Sequence, residues 1–474
     1  MRRWATLFIG LAACGRLGFG PTEETTDGST ASGDDANVDS VVPLAINSGT
    51  TSMQASYGGT ANEEGYDVAV SSTGAVAVTG TLQSSFMVGS TAVGSVAGDD
   101  IIVSAFAADG TPAWTSTLGG GGGDRGQAIA FDSAGNIYVS GLYASTVNFF
   151  GTNKTAAGMW DMFVVSYAPS GAFRWVTTAG GVNGDFAYDV IADSAGNVIV
   201  TGYYDGAVDF GMGPLPAAGA NEAFVAKYNG STGALLWARG FTSAGSDTGQ
   251  GVAVDAAGRI YVTGNLGGAI DFGGGPVGAA GGAYLLALDS AGNYLWATTM
   301  KNTLAWDVAL DAGTSQLLVA ARVSTAGTDV GDGMLLPTYG GSDDNMVVAF
   351  TLNGTLAWHR ESGGDLSDIG LGVTSDGTGN VYLIGLGGTA LNGAGANAIQ
   401  GNGMQDIYVI AYDATHTPRW GKMYGGAAQD RGYAVAVAPD GALWITGRYA
   451  GTADFGKGAV TSAGGNDLFL TKLY

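Results

Sequence analysis

The chain has 474 residues, with 18 Lys and Arg against 41 Asp and Glu. The resulting net charge of −23 opposes binding to nucleic acid, where cations must neutralise phosphates, and favours neutral or cationic partners. Gly numbers 84, charged residues are 12% and aromatics 10%, which fits tight-turned β-structure around a packed core better than disorder or a helical bundle.

The first residues, MRRWATLFIGLAACG, place Arg2 and Arg3 before a short apolar run that ends at Leu11-Ala12-Ala13-Cys14. Residues 1–13 thus have the layout of a signal peptide, and the run is too short to span a bilayer. Its ending resembles the bacterial lipobox, which is cleaved just before a lipid-carrying cysteine, so the resemblance implies lipidation of Cys14. Cys14 is the single cysteine, which leaves no intramolecular disulfide and suits a residue used for attachment. Gly15 stands where an Asp would resemble the inner-membrane retention signal, so an exported protein held at the outer membrane is expected, on its periplasmic side or at the cell surface.

Residues 14–50 follow as the lipidated cysteine and an acidic tether. PTEETTDGSTASGDDANVDS is polar and lacks a hydrophobic period, so it does not bury enough surface to fold alone. A flexible coil of roughly 36 residues has an r.m.s. span of about 30 to 36 Å, enough to lift a domain clear of the headgroups.

Over residues 51–474 the chain repeats at a period of about 61 residues. The form V-A-V-D-x-x-G-N-I-Y-V-T-G recurs seven times, as DVAVSSTGAVAVTG from Asp67, QAIAFDSAGNIYVSG from Gln127, DVIADSAGNVIVTG from Asp189, GVAVDAAGRIYVTG from Gly251, DVALDAGTSQLLVAA from Asp307, GVTSDGTGNVYLIG from Gly372 and AVAVAPDGALWITG from Ala434. Each copy holds two apolar runs about a Gly-containing turn, the signature of a β-hairpin. Asp132, Asp193, Asp255 and Asp376 open such turns as acceptors of backbone N–H, and Gly135, Gly196, Gly258 and Gly379 are expected to supply positive φ.

A second hairpin follows in each unit, with its last strand marked by Trp114, Trp175, Trp237, Trp296, Trp358 or Trp420. Two hairpins make four strands, and four-stranded sheets repeated radially make a propeller. Met53 stands where Trp114 stands one unit later, so the body begins with a fourth strand and ends, at DLFLTKLY, with a third. The expected fold is all-β: a seven-bladed β-propeller of four-stranded antiparallel blades, closed by an N-terminal strand joining the C-terminal blade and so hiding the sheet edges.

This pattern resembles the SBBP family of bacterial β-propeller repeats, whose units carry a D-x-x-G-N-x-Y-V-T-G hairpin, a D-F-G-like turn and a Gly-Gly dipeptide after the last strand. The matching residues include Asp209-Phe210-Gly211, Asp271-Phe272-Gly273 and Asp454-Phe455-Gly456, with Gly180-Gly181 and Gly425-Gly426. The resemblance implies the fold and no reaction. Ser231 to Trp237 is also similar to the Gly-then-Trp signature by which quinoprotein-type propellers lock neighbouring blades together.

Catalytic signals are sparse. His359 and His416 are the two histidines and Cys14 is assigned to the lipid, so the usual zinc ligands are lacking. G-x-S-x-G and G-x-x-x-x-G-K-[ST] do not occur, and Gly119 to Gly123 reads as a flexible turn between strands. Acidic residues recur in register before the first strand of each unit, at Glu63, Asp124, Asp185, Asp247, Asp368 and Asp430, with Thr303 breaking the series. Six carboxylates around one channel mouth would suit a hard cation such as Ca2+; alternatively, each caps its own loop by accepting backbone N–H bonds. A second series, Asp100, Asp161, Glu222, Asp344, Asp406 and Asp467, precedes the third strand.

A site that serves one ligand breaks the symmetry of a ring. The fifth unit replaces the Gly-Gly dipeptide with KNTLAW, Lys301 to Trp306, and carries Arg322 where other copies end small. His359, Arg360 and Glu361 form the densest charged cluster, from which a general acid or base would come or which is a solvated edge. The sixth unit inserts GLGGTALNGAGANAIQGNGMQD, a binding loop or glycine-rich slack. The expected function is a monomeric, lipid-anchored envelope or cell-surface module that binds a protein or glycan without catalysis and without a cofactor beyond Ca2+. Two alternatives are an exported lyase, hydrolase or quinone-dependent dehydrogenase with its site at the channel mouth, and an envelope assembly factor.

Overall fold

The structure, a computed structural model, describes residues 47–324, 327–393 and 399–474. Cys14, the leader and most of the tether lie outside the described residues, as does the middle of the sixth unit's loop. Among the described residues every regular element is a strand.

Glu63–Val70, Val76–Leu82, Asp100–Phe106 and Pro112–Leu118 pair in that order as an antiparallel sheet. The same order recurs in residues 125–179, 186–241, 248–300 and 305–362. Four short two-stranded sheets lie between the second and third strands of their units, and an eight-stranded sheet holds the rest: four strands of residues 369–426, three of residues 431–473, and Thr51–Tyr57 along the edge of the last. A narrow bridge joins its halves, Gly425 and Gly426 pairing with Asp454 and Ala453. Thr51–Tyr57 runs antiparallel to the final strand, with Met53 opposite Lys472 and Tyr57 opposite Leu468.

The first strands of successive sheets lie side by side. Glu63–Val70 contacts Arg125–Phe131, each first strand contacts the next, and Arg431–Val437 contacts Glu63–Val70 again. Val, Ile, Leu and aromatic side chains of adjacent sheets fill the space between them, where β-branched residues suit both buried faces of a strand.

The tryptophans show how one sheet is fastened to the next. Trp114 donates to the Pro169 carbonyl at 3.0 Å, Trp175 to Gly230 at 2.9 Å and Trp237 to Ser290 at 3.2 Å. Each acceptor lies in the turn before the last strand of the following sheet, and a glycine of that turn covers the indole. Gly49 covers Trp420 in this way, and Gly110 covers Met53, so Met53 occupies the tryptophan's place. The Asp-opened turns also form as their residues dictate: Asp132 accepts from the amides of Ala134 at 2.9 Å and Asn136 at 2.8 Å, and Gly135 has φ 78°. In the D-F-G-like turns, Asp209 and Asp271 accept in the same manner while Phe210 and Phe272 are buried.

Candidate functional site

The site begins with one glycine of the repeat. A Cβ on Gly141 would fall 1.9 Å from the Arg125 carbonyl oxygen, and one on Gly264 would fall 1.8 Å from that of Thr248. In six sheets the first strand thus crosses a glycine at very close range, in the fifth it crosses Ala321, and in all seven it then bulges. The register shifts between Gly65 and Asp67, Gly126 and Ala128, Ala187 and Asp189, Gly249 and Gly251, Ala305 and Asp307, Gly370 and Gly372, and Gly432 and Ala434. A bulge leaves one residue out of the ladder and redirects its side chain.

The redirected residues are Tyr66, Gln127, Tyr188, Gln250, Trp306, Leu371 and Tyr433. Each is half-buried while its neighbours along the strand are mostly buried, and all seven line a single central cavity of about 550 Å³. That is the size of a site for a small organic ligand. The bulge is regular but the residue it presents differs from sheet to sheet, so identical elements build an asymmetric pocket.

Two guanidiniums enter this pocket. The Arg125 Cζ lies 3.6 Å from the centroid of the Tyr66 ring, a cation–π contact, and Tyr66 lies 5.2 Å from Tyr433. Arg431 lines the same wall. The buried Nε atoms of Arg125 and Arg431, and the buried Oε1 of Gln127, have no hydrogen-bond partner among the described residues. Glu64 is engaged beside them, with one oxygen held by Arg448 and the other accepting from the Tyr433 hydroxyl at 3.2 Å. Burial raises the Tyr433 phenol, against the opposing charges of Arg448, Arg431 and Arg125, and burial pushes Tyr188 up to about 12. Both therefore remain neutral hydroxyls around neutral pH.

Further along the strands, Asp67, Asp189 and Asp307 line the pocket and staple alternate sheets. Their Oδ2 atoms accept from the amides of Ile129 at 2.9 Å, Val252 at 2.7 Å and Val373 at 2.8 Å, each on the next first strand.

The recurrent acids lie apart from this wall and are bound to backbone. Asp124 accepts from Gly120 and Ala144, both at 2.8 Å. Asp185 accepts from Gly181 at 2.7 Å and Asp205 at 3.0 Å, Asp368 from Gly364 at 2.6 Å and Gly388 at 2.5 Å, and Asp430 from Gly426 at 2.8 Å and Ala450 at 2.9 Å. Glu63 reaches Gly59 and Ser84, and Asp247 reaches Gly267 at 2.9 Å. Thr303 substitutes by donating to the Arg322 carbonyl. Among the described residues no three His, Cys, Asp or Glu side chains gather as a metal site.

The second series explains the first glycine of the Gly-Gly dipeptides. A Cβ on Gly119 would meet Asp100 Oδ1 at 1.8 Å, and one on Gly363 would meet Asp344 Oδ1 at the same distance. Gly58, Gly180 and Gly425 face Asp467, Asp161 and Asp406 likewise. Where the acid is the longer Glu222 the position of that glycine is held by Thr242, and where Gly282 replaces the acid it is held by Lys301. Gly119 and Gly120 are thus closely packed rather than slack, whereas Gly121 and Gly123 have open space around them.

The charged cluster of the fifth sheet lies on its last strand, away from the pocket lining. His359 Nδ1 meets Glu361 Oε1, and Arg360 Nε donates to the His416 carbonyl at 2.8 Å. His416 stacks on Trp358 with centroids 4.1 Å apart, and Arg322 pairs with Asp343 at 2.9 Å. Of the fifth-unit segment, Trp306 is the residue that reaches the pocket. The other pocket residues were missed in the sequence because they sit inside the repeat; the available signal was variation at the third residue after each recurrent acid.

Residues 113–142 match the family model of the SBBP β-propeller repeat. An uncharacterised WD repeat-containing protein of Acanthamoeba polyphaga mimivirus is 27% identical over 186 residues, 33% of this chain and 13% of that relative's length. The WD40 domain of Neurospora crassa Pan2 aligns with TM-score 0.47 and 9% identity over 86% of this chain and 89% of that one. A quinohemoprotein alcohol dehydrogenase of Pseudomonas putida HK5 aligns with TM-score 0.40 and 13% identity over 86% of this chain and 66% of that one. The repeated four-stranded antiparallel sheets and the family match together make this a β-propeller fold that carries an SBBP repeat at residues 113–142.

Proposed function

We propose that the chain is a seven-bladed propeller, closed by Thr51–Tyr57, that is held at the outer membrane through Cys14 and binds a small ligand in its central pocket without catalysis. Closure is supported by the pairing of Met53 with Lys472 and by the return of first-strand contacts from Arg431–Val437 to Glu63–Val70. The observation that carries the binding role is the ring of seven bulges presenting unlike side chains to one cavity, which Arg125 and Arg431 also line. Binding is favoured over catalysis because the pocket's three aspartates each hold a backbone amide of the neighbouring sheet.

The address is tested by cell fractionation. The full chain is expected in the outer-membrane fraction, and Cys14→Ser is expected to release it; a variant that stays on the membrane contradicts the lipid anchor. The pocket is tested by exposing the full chain and the Tyr188→Ala/Trp306→Ala variant to small molecules extracted from the cell envelope. A compound retained by the first and lost from the second supports the binding role, and equal retention overturns it.

A further inference from the structure

Resting on the pocket reading, we propose that the ligand is a neutral saccharide, one ring of which packs on the indole of Trp306 while its hydroxyls meet Gln250 and Tyr188. Trp306 carries the first part of the argument. The tryptophans that mark the last strands donate their N–H to protein acceptors, and the indole nitrogens of Trp160 and Trp444 are buried. The Trp306 N–H does neither: it is open to solvent and has no hydrogen-bond partner among the described residues, where its ring also meets no other aromatic ring. Its strand is flanked on both sides by the neighbouring first strands, so the solvent it meets is that of the cavity. An indole so placed presents a flat apolar face with a donor at its edge.

The two preceding sheets supply the rest. Tyr188 and Gln250 hold the equivalent bulges on their first strands, which contact each other and then that of Trp306. The Gln250 amide nitrogen donates to Thr248 at 3.0 Å, which leaves its carbonyl oxygen as an acceptor toward the cavity. The Tyr188 hydroxyl, pushed up to about 12 by burial, keeps its proton and can donate or accept. A donor, an acceptor and a group that is either thus form an arc beside one flat face. A sugar ring has the matching parts: C–H groups on a face, and hydroxyls around the rim that both donate and accept.

Other ligand classes fit less well. Arg125 and Arg431 share the cavity with Asp67, Asp189 and Asp307, so neither sign prevails and a charged ligand gains from one group what it loses to another. A wholly apolar ligand would strip water from the indole N–H and the amide oxygen without replacing it, at about 1–3 kcal/mol each. A planar base is held between two flat faces, but the nearby rings are already engaged, Tyr188 with Phe186 at 4.4 Å and Tyr66 with Arg125 at 3.6 Å. The volume of about 550 Å³ admits a short saccharide and not a folded partner.

Calorimetry of the purified full chain with maltose, cellobiose, lactose and diacetylchitobiose is the test, with digalacturonate and adenosine as the charged and planar controls. At least one neutral disaccharide is expected to bind saturably and more tightly than either control. Trp306→Ala is expected to weaken that sugar by at least about tenfold, as loss of an aromatic anchor does. Trp306→Phe, which keeps a flat face without the N–H, and Gln250→Leu, which removes the acceptor, are expected to fall between; circular dichroism establishes that each variant is folded. Tighter binding of digalacturonate or adenosine overturns the neutral saccharide, and sugar binding that survives Trp306→Ala removes the site. Absence of heat with all the neutral sugars overturns the saccharide class alone. The pocket reading itself falls separately, when an envelope compound is retained equally by the full chain and by Tyr188→Ala/Trp306→Ala.

Discussion

Gly233 and His416 occupy equivalent turns, and the contrast between them shows what that turn demands. Gly233 has φ 72° and a Cβ there would lie 2.6 Å from the indole of Trp175, so both backbone and packing require glycine. His416 takes φ 62° and lays its ring parallel to Trp358, at an interplanar angle of 17°. Gly233→Ala is therefore expected to cost about 1–3 kcal/mol, from the left-handed backbone and the displaced indole together. His416→Gly relieves the backbone but loses the stack, so it is expected to change stability by less than about 1 kcal/mol. Denaturant unfolding of both variants measures the difference, and equal losses would show that the turn does not discriminate. The tryptophans and Met53 were legible in the sequence because they recur in phase. Their partners were not, since each lies on the following sheet more than fifty residues away.

At the scale of the element, a strand junction behaves as a matched pair. Asp161 accepts from the Ala157 amide at 2.9 Å and turns its other oxygen toward Gly180, where a Cβ would lie 2.1 Å from the carboxyl carbon. The fourth sheet removes both halves together, with Gly282 in place of the acid and Lys301 in place of the glycine. Gly180→Ala should then cost about 1–3 kcal/mol as an overpacked contact. Adding Asp161→Gly should cost less in that background than in the parent chain, with a coupling of about 1 kcal/mol. A double-mutant cycle read by thermal unfolding checks this, and additive losses would mean that the glycine answers to something else. The sequence showed the acid and the glycines as two separate regularities. Their dependence is a close approach between the start of the third strand and the end of the fourth, which linear spacing does not display. The pocket was hidden for a related reason: hairpin patterning reads period two, and a bulge shifts that period by one residue at Tyr66, Tyr188 and Tyr433.

Across the whole molecule, the same carboxyl is buried again and again, and this sets how stability responds to pH. Burial, opposed by two amide contacts, raises Asp124, Asp185 and Asp430 from the ordinary 3.8 to about 6. Burial, with the charge of Asp344 adding to it, takes Asp368 to about 7. The folded protein thus holds protons that the unfolded chain releases between the ordinary value and about pH 6 or 7. Their contribution is complete below the unfolded pKa and is lost as pH rises through the folded ones. Asp193 acts in the opposite sense: despite burial, its contact with Lys227 at 2.8 Å holds it below 3.8, so its contribution is lost in stronger acid. The thermal midpoint should therefore be higher near pH 5 than near pH 7.5 and fall again below the ordinary carboxylate range. Relief of general repulsion at net charge −23 predicts a slope of the same sign on acidification, but about 0.5 M salt screens exposed charges over a few ångströms and leaves buried groups little affected. The slope that survives in high salt belongs to the buried carboxyls, and Asp368→Asn should reduce it. A midpoint that becomes flat between pH 5 and 7.5 once salt is added would assign the whole effect to surface repulsion and leave the recurrent acids ionised in their loops.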